Sequence, residues 1–257
     1  MPLELNADDI LTITHTEHLV DEIRDCLNSD GFFCLENSIS PEALRLMQNE
    51  VEDIIHAKGR RYFSLINPYK DTNSAFNLFD KSKNLKEIIS VLAKSSTNKD
   101  FSRSEILNVL RIVTGKSSSR QALNFHYDAT VVTVLIPIFI PTGPIKQCGH
   151  LLTFKNLRNI RRSALMNLVE KALIQNLICQ KIIGLFVGRN LKDHIYELRE
   201  GNIYFFWGYR TLHANLQVNP EYLRATMLFH FGDPHMDSFL INLIAKIRHW
   251  REKINSK

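Results

Sequence analysis

The sequence predicts a mostly β fold with flanking helices, a jelly roll whose two sheets close around a pocket. Three observations predict it. Short apolar, β-branched and aromatic runs follow one another at 122–128, 130–139, 149–154, 183–188, 194–198, 202–206 and 222–231. Turn formers separate them, notably Pro141-Thr142-Gly143-Pro144 and Gly188-Arg189-Asn190, the punctuation of a double-sheet architecture. Finally, 257 residues with 44% hydrophobic and 23% charged side chains can bury one large core. A single domain is expected: 1–100 as an N-terminal helical and strand region packed on the core, 101–235 as the jelly roll, 236–257 as a C-terminal helix.

The elements follow in order. Thr16 caps a helix through Leu27 that Asn28 to Gly31 terminates, and 31–36 is a short strand. Ser40-Pro41-Glu42-Ala43 starts a second helix, with a serine cap, proline in the first turn and Leu44, Met47, Val51, Ile54 and Ile55 on one face to about Lys58. Residues 59–82 mix aromatics with turn formers and are expected to be loop, and 84–93 a third helix. Residues 104–114 form a strand leading to Gly115-Lys116-Ser117-Ser118-Ser119, which lacks the upstream glycine of a phosphate loop and is expected at the mouth of the site. Residues 161–180 place Leu165, Leu168, Val169, Ala172, Leu173, Asn176 and Leu177 along one face, a helix inserted between strands to cover the outer sheet. Residues 239–251 form a helix apolar on one side and basic on the other, suited either to its own domain or to an anionic membrane.

Charge and cysteine usage narrow the function classes. The net charge is +5, but the basic residues are dispersed, which argues against a nucleic-acid partner. Cys26, Cys34, Cys148 and Cys179 lack the close pairing of a zinc site, and the N-terminus lacks a signal peptide's basic and apolar regions, so a cytoplasmic setting is expected, peripheral to a membrane if the C-terminal helix meets one. No apolar run is long enough to span a bilayer.

Chemistry concentrates around Phe125-His126-Tyr127-Asp128. In an extended segment residues two apart project to one side, so the His126 imidazole and the Asp128 carboxylate converge. His213, just after the run ending at Trp207, is the best third ligand, with His235 a competitor that lacks a glycine-rich strand before it. Two histidines and a carboxylate form the facial triad of non-haem Fe(II) oxygenases, which leaves positions open for co-substrate and O2. Arg224 sits in the middle of an apolar, aromatic-rich strand, with Thr226 on the same side. A buried guanidinium needs an anion: a glutamate elsewhere in the chain or a carboxylate-bearing ligand. His230, on the same strand face, is expected to be a buried hydrogen-bonding histidine.

The ordered set His126-x-Asp128, His213 and Arg224-x-Thr226 resembles the Fe(II)/2-oxoglutarate-dependent dioxygenases. Cys148-Gly149-His150-Leu151-Leu152-Thr153-Phe154 with Arg158 is similar to that family's Gly-x-Leu strand, and Gly201-Asn202-Ile203-Tyr204-Phe205-Phe206 to the strand before its distal histidine. Asp30-Gly31-Phe32-Phe33-Cys34-Leu35 resembles the opening of the phytanoyl-CoA hydroxylase-like branch. The chain departs from the pattern at Asn202, where aspartate is usual, and at Lys155-Asn156-Leu157-Arg158, which replaces a proline-rich strand end. The resemblance implies a double-stranded β-helix of cupin-like form, Fe(II) held by His126, Asp128 and His213, and 2-oxoglutarate with its distal carboxylate on Arg224 and Thr226. It further implies O2 as oxidant and hydroxylation of a small-molecule or lipid-linked substrate; relatives that halogenate carry a small residue where Asp128 stands. Asn124, His150 and Arg158 are the substrate-side candidates, and the positive charge of Arg158, Arg161 and Arg162 suggests an anionic or amphiphilic substrate. Two other readings stay open: a cupin-like metal-binding protein without oxygenase activity, and a basic membrane- or polyanion-associated binding protein.

Overall fold

Two antiparallel sheets face each other, and what fills the space between them differs from what covers them. The computed structural model describes residues 17–68, 74–97, 99–102, 104–116, 118, 122–160, 163–174, 176 and 191–235. Helices among them are α1 (Glu17–Ser29), α2 (Pro41–Lys58), α3 (Asn77–Lys81), α4 (Lys83–Thr97) and α5 (Ala164–Ile174). The strands are β1 (Phe32–Leu35), β2 (Phe63–Ile66), β3 (Leu107–Thr114), β4 (Val132–Phe139), β5 (Leu151–Phe154), β6 (Ile195–Tyr196), β7 (Ile203–Trp207), β8 (Leu212–Asn215) and β9 (Leu223–Phe231). The larger sheet has the order β1-β7-β4-β9-β3-β2 and the smaller β6-β5-β8.

Side-chain alternation gives the large sheet two distinct faces. On β9, Ala225, Met227, Phe229 and Phe231 join the core beneath the helices, whereas Arg224, Thr226, Leu228 and His230 line the interior cavity. On β4, Val132, Val134, Ile136 and Ile138 face the helices, and Thr133 and Leu135 face inward. The helix side is closed by α1 on β1 and β7, α2 on β4, and α4 on β4 and β9. Val20, Ile23 and Leu27 of α1 and Ala43, Met47 and Val51 of α2 are fully sequestered there, each set a stripe at helical spacing. Ser40 caps α2 by accepting the Ala43 N–H at 3.2 Å, as the Ser-Pro-Glu start predicts. Pro137 is tolerated inside central β4 because the β4–β9 register shifts there.

Several expectations need correction. Residues 59–82 are not all loop: β2 adds an edge strand to β3, and α3 precedes α4. Of 122–128, only His126 pairs, through an isolated bridge to His213. The apolar positions of the inserted helix whose side chains are described do not cover a sheet. Leu165, Val169 and Leu173 are more than half exposed, while Ile174 packs inward and Glu170 reaches Arg158. The departure at 155–158 has a structural account: Asn156 donates to the carbonyls of Leu27 and Asn28 at 2.9 and 3.2 Å, closing the end of α1. Asn202 accepts the Asn37 N–H at 3.0 Å through its side-chain oxygen, a bond that aspartate would also make. Cys26, Cys34 and Cys148 are free thiols. Among the described residues, no helix is long and apolar enough to cross a membrane. The strand expected at 183–188 and the C-terminal helix lie outside the described residues.

Candidate functional site

The His126–His213 pair is built by backbone. Each donates its N–H to the other's carbonyl at 3.0 Å, so both imidazoles leave the bridge on one side, with ring centroids 4.4 Å apart. The Asp128 N–H donates to the Gly208 carbonyl at 3.0 Å, which brings the carboxylate alongside them. Asp128 Oδ1 lies 3.7 Å from His126 Nε2 and 3.6 Å from His213 Nε2. The three donor atoms all lie within 4.8 Å of one another, a spacing that an ion about 2 Å from each can bridge.

Hydrogen bonds behind the three side chains settle which atoms face inward. His126 Nδ1 is 2.9 Å from the Asn124 carbonyl and His213 Nδ1 is 3.0 Å from the Thr211 carbonyl. A carbonyl only accepts, so each Nδ1 carries the proton and each Nε2 offers a lone pair. Asp128 Oδ2 accepts the Thr133 hydroxyl at 2.5 Å, with His230 Nδ1 a further 3.2 Å from that hydroxyl. Oδ1 is left for the centre. Gly208 is part of the frame, since a Cβ there would sit 2.8 Å from Asp128 Oδ2.

The charge states fit a cation. Burial, reinforced by His213, pushes His126 down from 6.5 to about 4. Burial alone would raise the Asp128 carboxyl, but the imidazoles of His213 and His230 and the Thr133 hydroxyl hold it below the usual carboxylate range. At neutral pH His126 therefore presents a lone pair and Asp128 a negative charge.

Arg224 closes the other end of the same cavity at 1% exposure. It donates to Asn215 Oδ1 at 3.0 Å and to the Thr226 hydroxyl at 3.4 Å, and its Nε has no partner. No carboxylate pairs with it among the described residues; burial and the nearby Arg111 lower its pKa to about 9. Gly149 makes room for it, because a Cβ there would collide with Arg224 Cδ.

The substrate-side candidates fare differently. Arg158 does not face the cavity: it is buried between the rings of Tyr127 and Tyr209, its guanidinium carbon 3.9 and 4.3 Å from their centroids. Its charge is met by Glu170 at 2.8 Å. His150 is buried and accepts the Leu198 N–H at Nδ1. Asn124 is exposed beside the site and contributes its carbonyl to His126. His235 binds the Tyr209 hydroxyl at 2.9 Å rather than joining the ligand cluster. Sequence reasoning missed Arg111, Thr133 and Asn215, all of which line the cavity. Arg111 carried the signal that exposed Arg224, a charge inside an apolar strand.

No protein-family model matches the sequence, and no curated protein does. Solved structures do share its architecture. A prolyl-4-hydroxylase from Pseudomonas putida is 11% identical, with a TM-score of 0.53 covering 83% of this chain and 99% of that one. A prolyl 4-hydroxylase from Phytophthora capsici is 12% identical, with a TM-score of 0.56 covering 90% of this chain and 70% of that one. HygX from Streptomyces hygroscopicus, solved with nickel and 2-oxoglutarate bound, is 10% identical, with a TM-score of 0.51 covering 86% of this chain and 88% of that one. The chain therefore has the jelly-roll fold of these proteins.

Proposed function

We propose that this protein is an Fe(II)- and 2-oxoglutarate-dependent oxygenase that hydroxylates a small organic substrate with release of succinate and CO2. The observation that carries the reading is Arg224, a buried guanidinium with an unbonded Nε and no carboxylate partner among the described residues, across one cavity from His126, Asp128 and His213. A metal site alone has no use for that cation; a dicarboxylate spanning from metal to guanidinium does. The bound iron and 2-oxoglutarate would supply O2 activation coupled to oxidative decarboxylation.

The chain's own residues do the holding and orienting. The carbonyls of Asn124 and Thr211 fix both imidazoles with Nε2 inward, and Thr133 turns Asp128 so that one oxygen serves the metal. Arg224, Thr226 and Asn215 would receive the distal carboxylate, while Leu135, Leu151, Phe206 and Leu228 keep the cavity wall apolar and exclude water. The Asp30–Leu35 stretch, whose Phe32–Leu35 forms β1, supports placement in the phytanoyl-CoA hydroxylase-like branch. A lipid-linked substrate loses one of its reasons, since the charge of Arg158 is already met by Glu170.

The test is substrate-free turnover. Purified protein with Fe(II) and ascorbate is expected to convert 2-oxoglutarate slowly to succinate with O2 uptake, and His126→Ala to lose this while keeping the wild-type circular dichroism. Equal succinate from wild type and His126→Ala would reject the reading.

A further inference from the structure

Arg111 is a second cation in the same cavity that the metal and co-substrate roles above leave unused. Alternation on β3 sends Leu110 and Ile112 into the core under the helices, so Arg111 projects inward, paired across strands with Thr226 and diagonal to Arg224. It lines the cavity together with His126, Asp128, His213 and His230. Its Nε is buried without a hydrogen-bond partner, and no salt bridge to it occurs among the described residues.

Two guanidiniums and a bound divalent metal would face, among the described residues lining the cavity, a single carboxylate, that of Asp128. A 2-oxoglutarate dianion would balance only part of the excess, and Arg224 already claims its distal end. A guanidinium in such a wall favours a planar anion it can grip with two parallel hydrogen bonds. We propose that Arg111 is an anion-binding residue of this site that grips a carboxylate at the metal end of the cavity, distinct from the carboxylate held by Arg224. This rests on the oxygenase reading. The carboxylate has two sources, the keto-acid end of the co-substrate or the substrate itself.

The experiment uses full-length Mn(II)-loaded wild type, Arg111→Gln and Arg111→Lys, with Mn(II) uptake as the control for an intact site. Arg111→Lys, which keeps the charge and loses the planar fork, replaces the glutamine variant if that one fails to take up metal. Calorimetric titration with 2-oxoglutarate and with 2-oxobutyrate reads the first source. An equal loss of at least about tenfold for both ligands in the variant assigns Arg111 to the keto-acid end. The second source is read from broadening of the acetate methyl NMR signal by Mn(II) in protein saturated with 2-oxoglutarate. Saturable broadening in wild type, lost in the variant while 2-oxoglutarate affinity is unchanged, assigns Arg111 to a substrate carboxylate. Unchanged titrations and unchanged broadening overturn the proposal. A wild type that binds no 2-oxoglutarate at all overturns the oxygenase reading instead, and 2-oxobutyrate and acetate then decide Arg111 alone.

Discussion

Arg224 shows what a buried cation implies about a protein at rest. Without an anion it keeps two hydrogen bonds, to Asn215 and Thr226, and leaves Nε unmet. Such a group costs stability, and on the proposed function it is kept for the carboxylate it would receive. Arg224→Met in the ligand-free protein is therefore expected to raise stability by about 1 kcal/mol, roughly 2–4 °C in Tm; a calorimetric scan that finds a lower Tm would show the guanidinium to be structurally required. His126 makes a pH-dependent statement. Its folded pKa of about 4 lies below the usual 6.5, so between those values the unfolded chain binds the extra proton. Stability of the metal-free protein should fall as pH drops from about 6.5 to 4, with His126 contributing up to about 3 kcal/mol of the loss. His150, His230 and His235 are lowered as well, so the slope is shared. Denaturant melts across that range should show a shallower fall in His126→Gln; an unchanged slope would place the uncharged imidazole elsewhere. At Gly208 the constraint is steric. A Cβ there would collide with the buried Thr133 hydroxyl that holds Asp128 and would sit 2.8 Å from Asp128 Oδ2, so Gly208→Ala is expected to weaken Mn(II) binding at least about tenfold in a metal titration; unchanged Mn(II) affinity would show that the site tolerates the extra methyl.

Elements with strong local chemistry were legible before the structure. Ser40-Pro41-Glu42 starts α2 where a capped, proline-led helix should start, and Ser40→Ala should cost about 1 kcal/mol in a denaturant melt, with a loss near zero pointing to a cap supplied by packing alone. Strands with β-branched alternation, β3 and β9, came within a few residues of their expected limits. What escaped were elements made by tertiary contact. β2 is four residues long and exists because β3 offers an edge, and α3 is a five-residue turn of helix against the core. Leu165, Val169 and Leu173 of α5 were misread because an apolar stripe looks the same whether or not anything covers it; among the described residues of α5, Glu170 and Ile174 make the inward contacts. Arg158 was misread for a related reason, since sequence shows a charge but not the tyrosines that sandwich it.

For the whole molecule, the division of labour is between the two faces of the large sheet. One face is apolar and bolted down by α1, α2 and α4; the other projects Arg111, Arg224, Thr226, Thr133 and His230 into the cavity that His126, Asp128 and His213 also line. The His126, Asp128 and His213 cluster was legible from the two-residue spacing of the first pair and its order with the third, and Arg224 because it interrupts an apolar pattern. Thr133 and Asn215 were not, since a threonine in a strand and an asparagine at a strand end interrupt nothing. The central claim is that one cavity joins a metal to a guanidinium through a dicarboxylate. Titration of Mn(II)-loaded protein with 2-oxoglutarate and with 2-oxobutyrate, which lacks the distal carboxylate, tests it most directly. Wild type should prefer 2-oxoglutarate by roughly tenfold to a hundredfold, as a charge-assisted bond of about 1.5–3 kcal/mol requires, and Arg224→Ala should erase that preference while still binding metal. A preference that survives in Arg224→Ala, or 2-oxoglutarate binding that ignores the metal, would contradict the account.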